Sequence, residues 1–404
     1  MIKILLGGSP CTHWSIAQKN GRETQPNSGL GWELFLNYKI ALEKYKPDYF
    51  LYENNKSASQ AIKDEIGRQL GFPLTYINSA LVSAQNRQRF YVMNCGEIKQ
   101  PEDRGILIKD ILEKGCDLTT NDKSYALTTR CSGAIPEDTI TRRRHTMVAE
   151  PVNVTNDGKA HTIKAQYYKN SDENFVTNGG FSASAVAEPV SINSTAEGDK
   201  ARTLMAGYYK YGTATLLTNP GFAGGTTAVA EPVGYAIPCE WYENGRPTKA
   251  TSCADGKIYT VYEVKDGKIT IKGKQYPIKL SDGFYIIRKL TVKECKRLQT
   301  IPDWYEFPVS DTQAYKMLGN GWTVEVIKHL LSHIPNIQNE EIEVLSMYDG
   351  MSCGQIALRE MGCNVAKYYA TEIDKYAIQT TQHNFPNTIQ LGDAFQVREE
   401  GWGI

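Results

Sequence analysis

The sequence predicts an α/β protein built on a mostly parallel sheet and interrupted by a β-rich insertion. Three observations point there. Strand and helix patterns alternate up to about residue 115, the texture shifts to Gly, Thr, Asn, Ser and Tyr between about 121 and 285, and helical periodicity returns after 286.

Taken in order, IKILL (2–6) is a short apolar strand that runs into glycines. LGWELFLNYKIALEKYKPD (30–48) carries apolar residues at helical spacing and stops at Pro47. YFLYEN (49–54) reads as a second strand, and ALVSAQNRQRFYVMN (80–94) as a loop followed by a strand. Such a βαβ run places ligands at the C-terminal ends of its strands. In the middle segment GKAHTIKAQYYK (158–169) and DKARTLMAGYYK (199–210) repeat roughly 40 residues apart. Each is followed by AVAEPV (185–190 and 228–233), with a degenerate earlier copy in KSYALTTRCSGA and MVAEPV (147–152). Short strands joined by turns are expected, and a duplicated decoration without a binding role is the alternative. LTVKECKRLQTIP and VEVIKHLLSHIP restore helices, NIQNEE (336–341) is a polar linker, and EVLSMYDG (343–350) opens another α/β unit. The expected divisions are 1–120, 121–285, 286–335, a linker at 336–342, and 343–404.

Composition narrows the function. Forty-five basic residues balance 45 acidic ones, which argues against a protein that coats nucleic acid indiscriminately but leaves room for a local basic groove. No apolar run suits a membrane span, and Ile2–Leu6 is too short for an export signal, so a cytoplasmic protein is expected. Nine cysteines without CxxC pairs fit reduced thiols better than a disulfide framework or a zinc site.

Several residues are candidates for chemistry. In GGSPCTHWS the glycines allow close backbone approach and Pro10 fixes one torsion, so Cys11 can be held rigidly at a cleft; a buried thiol in a tight turn is the alternative. Glu53 ends a buried strand, where an isolated carboxylate has a raised pKa, unless it simply meets water. Gln85, Arg87 and Arg89 alternate along an extended segment and so share one face, suited to an anionic or carbonyl-bearing substrate or to a solvated edge. SMYDGMSCGQIALREMG reads as strand, glycine turn and helix, a geometry that offers backbone N–H groups to a cofactor, although it is not GxGxxG. Glu372 ends the following strand where ribose-binding acids stand, and Asp393 ends a third. His329 and His333, four apart on a helix, read as a solvated face rather than a metal site.

These segments resemble the motifs of the DNA cytosine-5 methyltransferases. GGSPC looks like their nucleophile motif, YENN like Glu-Asn-Val, and QNRQR like Gln-x-Arg-x-Arg. RKLTVKECKRLQTIPDWY and MLGNGWTVEVIKHL resemble the segments that follow target recognition, and YDGMSCG, ATEID and GDA resemble the three S-adenosylmethionine-binding motifs. Ser-Pro-Cys and Tyr-Asp-Gly are closer to the animal de novo branch. The order is reversed: the cofactor motifs come last. Joining the ends would space Asp393 and Cys11 by about twenty residues, as a circular permutation cut before the nucleophile strand would.

The resemblance implies a Rossmann-like S-adenosylmethionine-dependent methyltransferase fold with a mostly parallel seven-stranded sheet, circularly permuted, and an inserted β-rich target-recognition domain. It implies transfer of a methyl group from S-adenosylmethionine, leaving S-adenosylhomocysteine, to carbon 5 of a flipped-out cytosine in double-stranded DNA, with no metal. Cys11 would be the nucleophile, Glu53 the partner of ring nitrogen 3, and Arg89, supported by Arg87, the group holding the carbonyl oxygen. Cofactor contacts would fall on Pro10, Leu34, Asn320, Tyr348, Asp349, Gly350, Met351, Ser352, Glu372, Ile373, Asp393 and Ala394, with Trp32 or Leu34 packing on the adenine. Ser15, Gln85, Arg142, Arg143, Arg144, Tyr167 and Tyr208 would meet DNA. Ser346, Ser352, Cys353 and Asn55 depart from the usual motif residues. An RNA cytosine-5 methyltransferase of the transfer-RNA type, or a catalytically silent DNA-binding relative, are the alternatives. A monomer acting in a bacterial host, with or without a cognate restriction enzyme, completes the expectation.

Overall fold

A computed structural model describes the chain except residues 16–20, 114–121, 137–139, 141–144, 153–186, 192–226, 233–240, 244–245, 253 and 403–404, and it describes only the backbone at Cys11 and at 187–191, 227–232 and 242. Arg142, Arg143, Arg144, Tyr167, Tyr208, the two long repeats and Ile404 therefore lie outside the described residues. The chain divides into two compact units: Met1–Ile111, Asn121–Ala134 and Val292–Ile404 form one, and Leu112–Thr120 and Ile135–Thr291 the other. The segment at 121–134 thus groups with the first unit, and the chain returns to it at Val292 rather than at 286.

The first unit is built on a seven-stranded sheet. Its strands in chain order are β1 (Ile2–Gly7), β2 (Tyr49–Asn55), β3 (Thr75–Asn78), β4 (Gln88–Met93), β5 (Glu341–Met347), β6 (Asn364–Thr371) and β7 (Ile389–Gly392). Their spatial order is β7-β6-β5-β1-β2-β4-β3. All neighbours pair in parallel except β4, which is antiparallel to both β2 and β3. The late strand β5 lies directly against the early strand β1, from Ile2 opposite Ile342 to Gly7 opposite Met347. Both strands are central and covered on both faces, which is why they read as unbroken apolar runs. Ile4, Leu5, Leu6, Val344, Leu345 and Met347 are fully buried.

Helix α1 (Leu30–Tyr45) covers one face through Trp32, Phe35, Tyr38, Ala41 and Tyr45, spaced by three or four residues on one stripe. Tyr38 and Phe35 meet Tyr52 of β2 edge-on at 5.0 and 5.5 Å between ring centroids. The helix ends at Tyr45, just short of the Pro47 at which the pattern stops. Lys46 precedes Pro47, which excludes it from the helical region, and it caps the helix in a left-handed conformation with its N–H on the Leu42 carbonyl. A helix the sequence reading passed over, α2 (Gln60–Leu70), is capped by Ser59 and ended by Gly71 at φ 77°. Further helices among the described residues of this unit are α3 (Val292–Leu298), α4 (Asp311–Asn320), α5 (Val324–Leu331), α6 (Cys353–Glu360) and α7 (Lys375–Asn384). The sheet runs outward in one direction from β5 through β6 and β7, and in the other from β1 through β2, β4 and β3. The loops that follow this adjacent pair therefore open a crevice at the C-terminal edge of the sheet.

The second unit holds an antiparallel sheet in the order Lys274–Pro277, Lys268–Ile271, Ile258–Lys265, Gly283–Lys289 and Met147–Pro151, with Lys249–Thr251 pairing on Ile258–Lys265. The three AEP copies are all strands: Met147–Pro151 pairs with Gly283–Lys289, and Ala187–Ser191 pairs with Thr227–Pro232. In the first copy Glu150 is buried and accepts hydrogen bonds from Arg288 and, at 2.9 Å, from the Ser252 hydroxyl. Among the described residues no helix is long and apolar enough to cross a membrane.

Candidate active site

One cleft of about 450 Å³ opens at the C-terminal edge of the seven-stranded sheet. It gathers the loop after β1, the end of β2, the loops after β5, β6 and β7, and the end of α4. Of the residues the sequence proposed, Pro10, Leu34, Glu53, Arg87, Arg89, Asn320, Tyr348, Asp349, Gly350, Met351, Glu372, Ile373, Asp393 and Ala394 line it. Cys11 opens a single 3₁₀ turn, Cys11–His13, and its neighbours Pro10 and Thr12 both line the cleft.

The glycines before Cys11 are there for proximity. A Cβ at Gly8 would stand 2.8 Å from Glu53 Oε2 and 2.9 Å from the Glu53 carbonyl, so only glycine lets this strand end pass so close to the carboxylate. Glu53 is not the isolated acid that the strand-end position suggested. Arg89 Nε lies 2.9 Å from its Oε1, and the Trp322 indole N–H donates to its Oε2 at 3.0 Å.

The QNRQR segment does not present one continuous face. Gln85–Asn86 is a separate short strand pairing with Ser124–Tyr125, and β4 begins only at Gln88, so the alternation breaks at Arg87. Arg89 reaches Glu53, whereas Arg87 is 3% exposed and donates to the carbonyls of Leu127 (3.2 Å), Gly319 (3.3 Å) and Gly321 (2.9 Å). Gln85 is fully buried and lines no part of the cleft, and neither does half-buried Ser15. The Arg87 contacts fasten the Gly-Asn-Gly turn after α4. There a Cβ at Gly319 would fall 2.3 Å from the Thr128 backbone.

The loop after β5 is tightly wound. Tyr348, Gly350 and Ser352 all have φ near +60°, held by the Tyr348 N–H on Thr371 Oγ1 (3.0 Å) and the Tyr348 hydroxyl on the Leu34 carbonyl (2.7 Å). Ser352 is fully buried, caps α6 and donates to Asp349 instead of facing the cleft. Tyr368 donates to the other Asp349 oxygen at 2.9 Å. Burial pushes the Asp349 carboxyl up to about 6, against the opposing pull of the Ser352, Ser346 and Tyr368 hydroxyls. Glu372 accepts from the N–H groups of Gly350, Ile373 and Asp374, each at 2.8 Å. Burial pushes the thiol of Cys353, which lines the cleft, up to about 12, so it stays protonated. Trp32 is core, packed on Phe35 at 5.0 Å, and Leu34 is the member of that pair which lines the cleft.

Reading the sequence passed over Trp322, Lys316 and Phe395, all of which line the cleft. Lys316 of α4 pairs with Asp374 after β6 at 2.6 Å. Burial opposes ionisation of Asp374, but the Lys316 ammonium and the Tyr376 N–H outweigh it and hold the carboxyl below its ordinary value. The histidine pair is away from the cleft, with His329 Nε2 2.7 Å from the Lys99 carbonyl and His333 Nδ1 2.8 Å from the His329 carbonyl.

The profile of the C-5 cytosine-specific DNA methylases matches residues 1–336. The orphan methyltransferase M.SPRI of Bacillus phage SPR is 23% identical over 381 residues, covering 82% of each chain. The type II methyltransferase M.NlaX of Neisseria lactamica is 51% identical over 105 residues, 23% of this chain and 32% of that protein. Among solved structures, a DNMT2 mutant of Spodoptera frugiperda is 15% identical with a TM-score of 0.35, over 82% of this chain and 78% of that one. The profile spans well over half of the chain and includes the loop of Cys11, Glu53 and both arginines. The chain belongs to the C-5 cytosine-specific DNA methylase family.

Proposed function

We propose that this protein methylates carbon 5 of a flipped-out cytosine in double-stranded DNA through a covalent adduct on Cys11. The observation that carries the reading is that Pro10 and Thr12 of the Cys11 turn and the Glu53–Arg89 pair share one cleft with the loops after β5, β6 and β7.

The cleft residues fit S-adenosylmethionine. Two carboxylates, Glu372 and Asp393, stand at strand ends between the apolar walls of Leu34, Ile373 and Phe395, which is the mixture an adenosine needs. Glu372 would take the ribose hydroxyls, Asp393 the adenine amine, and Tyr348, Gly350, Met351 and Asn320 the methionine end. When bound, S-adenosylmethionine supplies an electrophilic methyl group on its sulfonium.

The chain's own residues do the rest. Cys11, as thiolate, adds to carbon 6, and the electron pair displaced from the 5,6 double bond makes carbon 5 nucleophilic. Glu53 holds the proton at ring nitrogen 3, and Arg89 keeps Glu53 oriented and faces the carbonyl oxygen. Arg87 acts indirectly, by fixing the Gly-Asn-Gly turn. Once carbon 5 is methylated it loses its proton, the carbon–sulfur bond breaks, and aromaticity returns with the thiolate regenerated.

The motif order is that of a circularly permuted relative. Its support is the parallel pairing of β5 with β1 inside one sheet, and the end of the family match at residue 336, before the three strands that carry the cofactor motifs. The second unit stands in the sequence where target recognition is expected, and its repeats are candidates for additional DNA contact. The relatives named above come from a bacterium and a bacteriophage, so the host DNA of a bacterial cytoplasm is the proposed substrate. Incubation with methyl-labelled S-adenosylmethionine and either unmethylated duplex DNA or transfer RNA tests this. Label at cytosine carbon 5 of DNA supports the reading, and label confined to transfer RNA overturns it.

A further inference from the structure

Resting on the reading above, we infer that Trp322 is a positioning residue for the base-binding acid, its indole N–H fixing the Glu53 carboxylate from the cofactor side of the cleft. An indole N–H can only donate, and when partly buried it needs an acceptor. Here the acceptor is Glu53 Oε2, at 3.0 Å. Arg89 takes Oε1 at 2.9 Å, and the backbone at Gly8 closes the third side. A carboxylate gripped at both oxygens by donors on two different elements cannot rotate about its terminal torsion, so its remaining lone pairs face the cleft that all four residues line.

The support behind Trp322 is buried and polar. Trp322 follows the Gly-Asn-Gly turn, whose Gly321 carbonyl accepts from Arg87 (2.9 Å) and from Gln299 (3.2 Å). Gln299 also donates to the Leu318 carbonyl (2.6 Å), and its Oε1 accepts from the Thr323 hydroxyl (2.9 Å), which lies 2.9 Å from the Ser79 hydroxyl. Arg87, Gln299, Thr323 and Ser79 are each at most 3% exposed. Such a fully connected network specifies one conformation of the chain on both sides of Trp322. The tryptophan lies 269 residues from Glu53 in sequence, and it ties the turn bordering the cofactor end to the acid that meets the base.

Full-length protein, unmethylated bacterial genomic DNA and labelled S-adenosylmethionine provide the test. Trp322→Phe keeps the ring and removes the donor. It should lower kcat about 10- to 100-fold, the rate equivalent of one hydrogen bond to a charged group, with KM for S-adenosylmethionine within about twofold of the parent. In a Glu53→Ala background, which leaves no side-chain oxygen to accept the indole N–H, the same change should cost no more than about twofold. In the free protein, the indole ¹H–¹⁵N resonance that Trp322→Phe deletes should shift on Glu53→Gln. Equal losses in both backgrounds, a rise in KM at unchanged kcat, or an indole resonance indifferent to Glu53→Gln would each overturn the assignment. The resonance is read without turnover, so it judges the Trp322 contact even if the enzyme proves to methylate something other than DNA.

Discussion

Arg87→Met separates holding the Gly-Asn-Gly turn from touching the substrate. Arg87 is 3% exposed and donates to three main-chain carbonyls, at Leu127, Gly319 and Gly321, over 2.9 to 3.3 Å. Methionine matches much of the volume but offers no donor, so these carbonyls keep their burial and lose a charged partner. A buried carbonyl left without its donor costs about 1–3 kcal/mol, so losing the shared donor of three carbonyls costs about 3–5 kcal/mol after partial relaxation. In a unit of this size each kcal/mol lowers Tm by about 2–4 °C, so a fall of roughly 6–20 °C is expected. Arg89→Met is the control: its partner Glu53 also has Trp322, so the melting point should fall less while methyl transfer falls more. Thermal denaturation of both variants, with methyl transfer measured well below their melting temperatures, reads both effects. If Arg87→Met melted within about 2 °C of the parent yet lost its activity, Arg87 would act on the substrate and the reasoning would be refuted.

Two further outcomes follow from the same geometry. Gly8→Ala should cost about 1–3 kcal/mol of stability through overpacking against Glu53 and about 100-fold in activity by displacing its carboxylate; near-normal turnover would show that the 2.8 Å approach is not required. Asp349 is protonated in the folded protein up to about 6, whereas the unfolded chain ionises it near pH 4, so the unfolded state binds fewer protons across that window and stability falls as pH rises through it. Asp349→Asn should flatten that fall in urea midpoints, and identical slopes in both proteins would contradict it.

The fold was legible where a residue's burial is decided by its own strand or helix. β1, β2 and β5 are central and apolar, so periodicity and composition located them, and Pro47 and the cap at Lys46 explain where α1 ends. Glu53, Tyr348, Glu372 and Asp393 could be read as site residues because strand ends in such sheets converge on one edge. What stayed hidden was long-range. Nothing local in QNRQR says that the strand breaks at Arg87, because the break is made by pairing with Ser124–Tyr125 and by carbonyls more than 200 residues away. Trp322 carries no motif signal of its own, since its role exists only when the turn after α4 meets the end of β2. Ser352 looked like a cofactor contact by its motif position, but the left-handed backbone there turns its hydroxyl inward to Asp349.

The most direct test of the proposed chemistry traps the adduct. Duplex DNA in which cytosine is replaced by 5-fluorocytosine has no carbon-5 proton to lose, so an enzyme working through a thiol at carbon 6 remains attached after methyl transfer. Incubated with S-adenosylmethionine, the parent protein should form a denaturant-stable complex with this DNA that mass spectrometry maps to Cys11, and Cys11→Ser should form none and transfer no methyl to ordinary DNA. Methyl transfer that survives Cys11→Ser, or a complex mapped to another residue, would contradict the account.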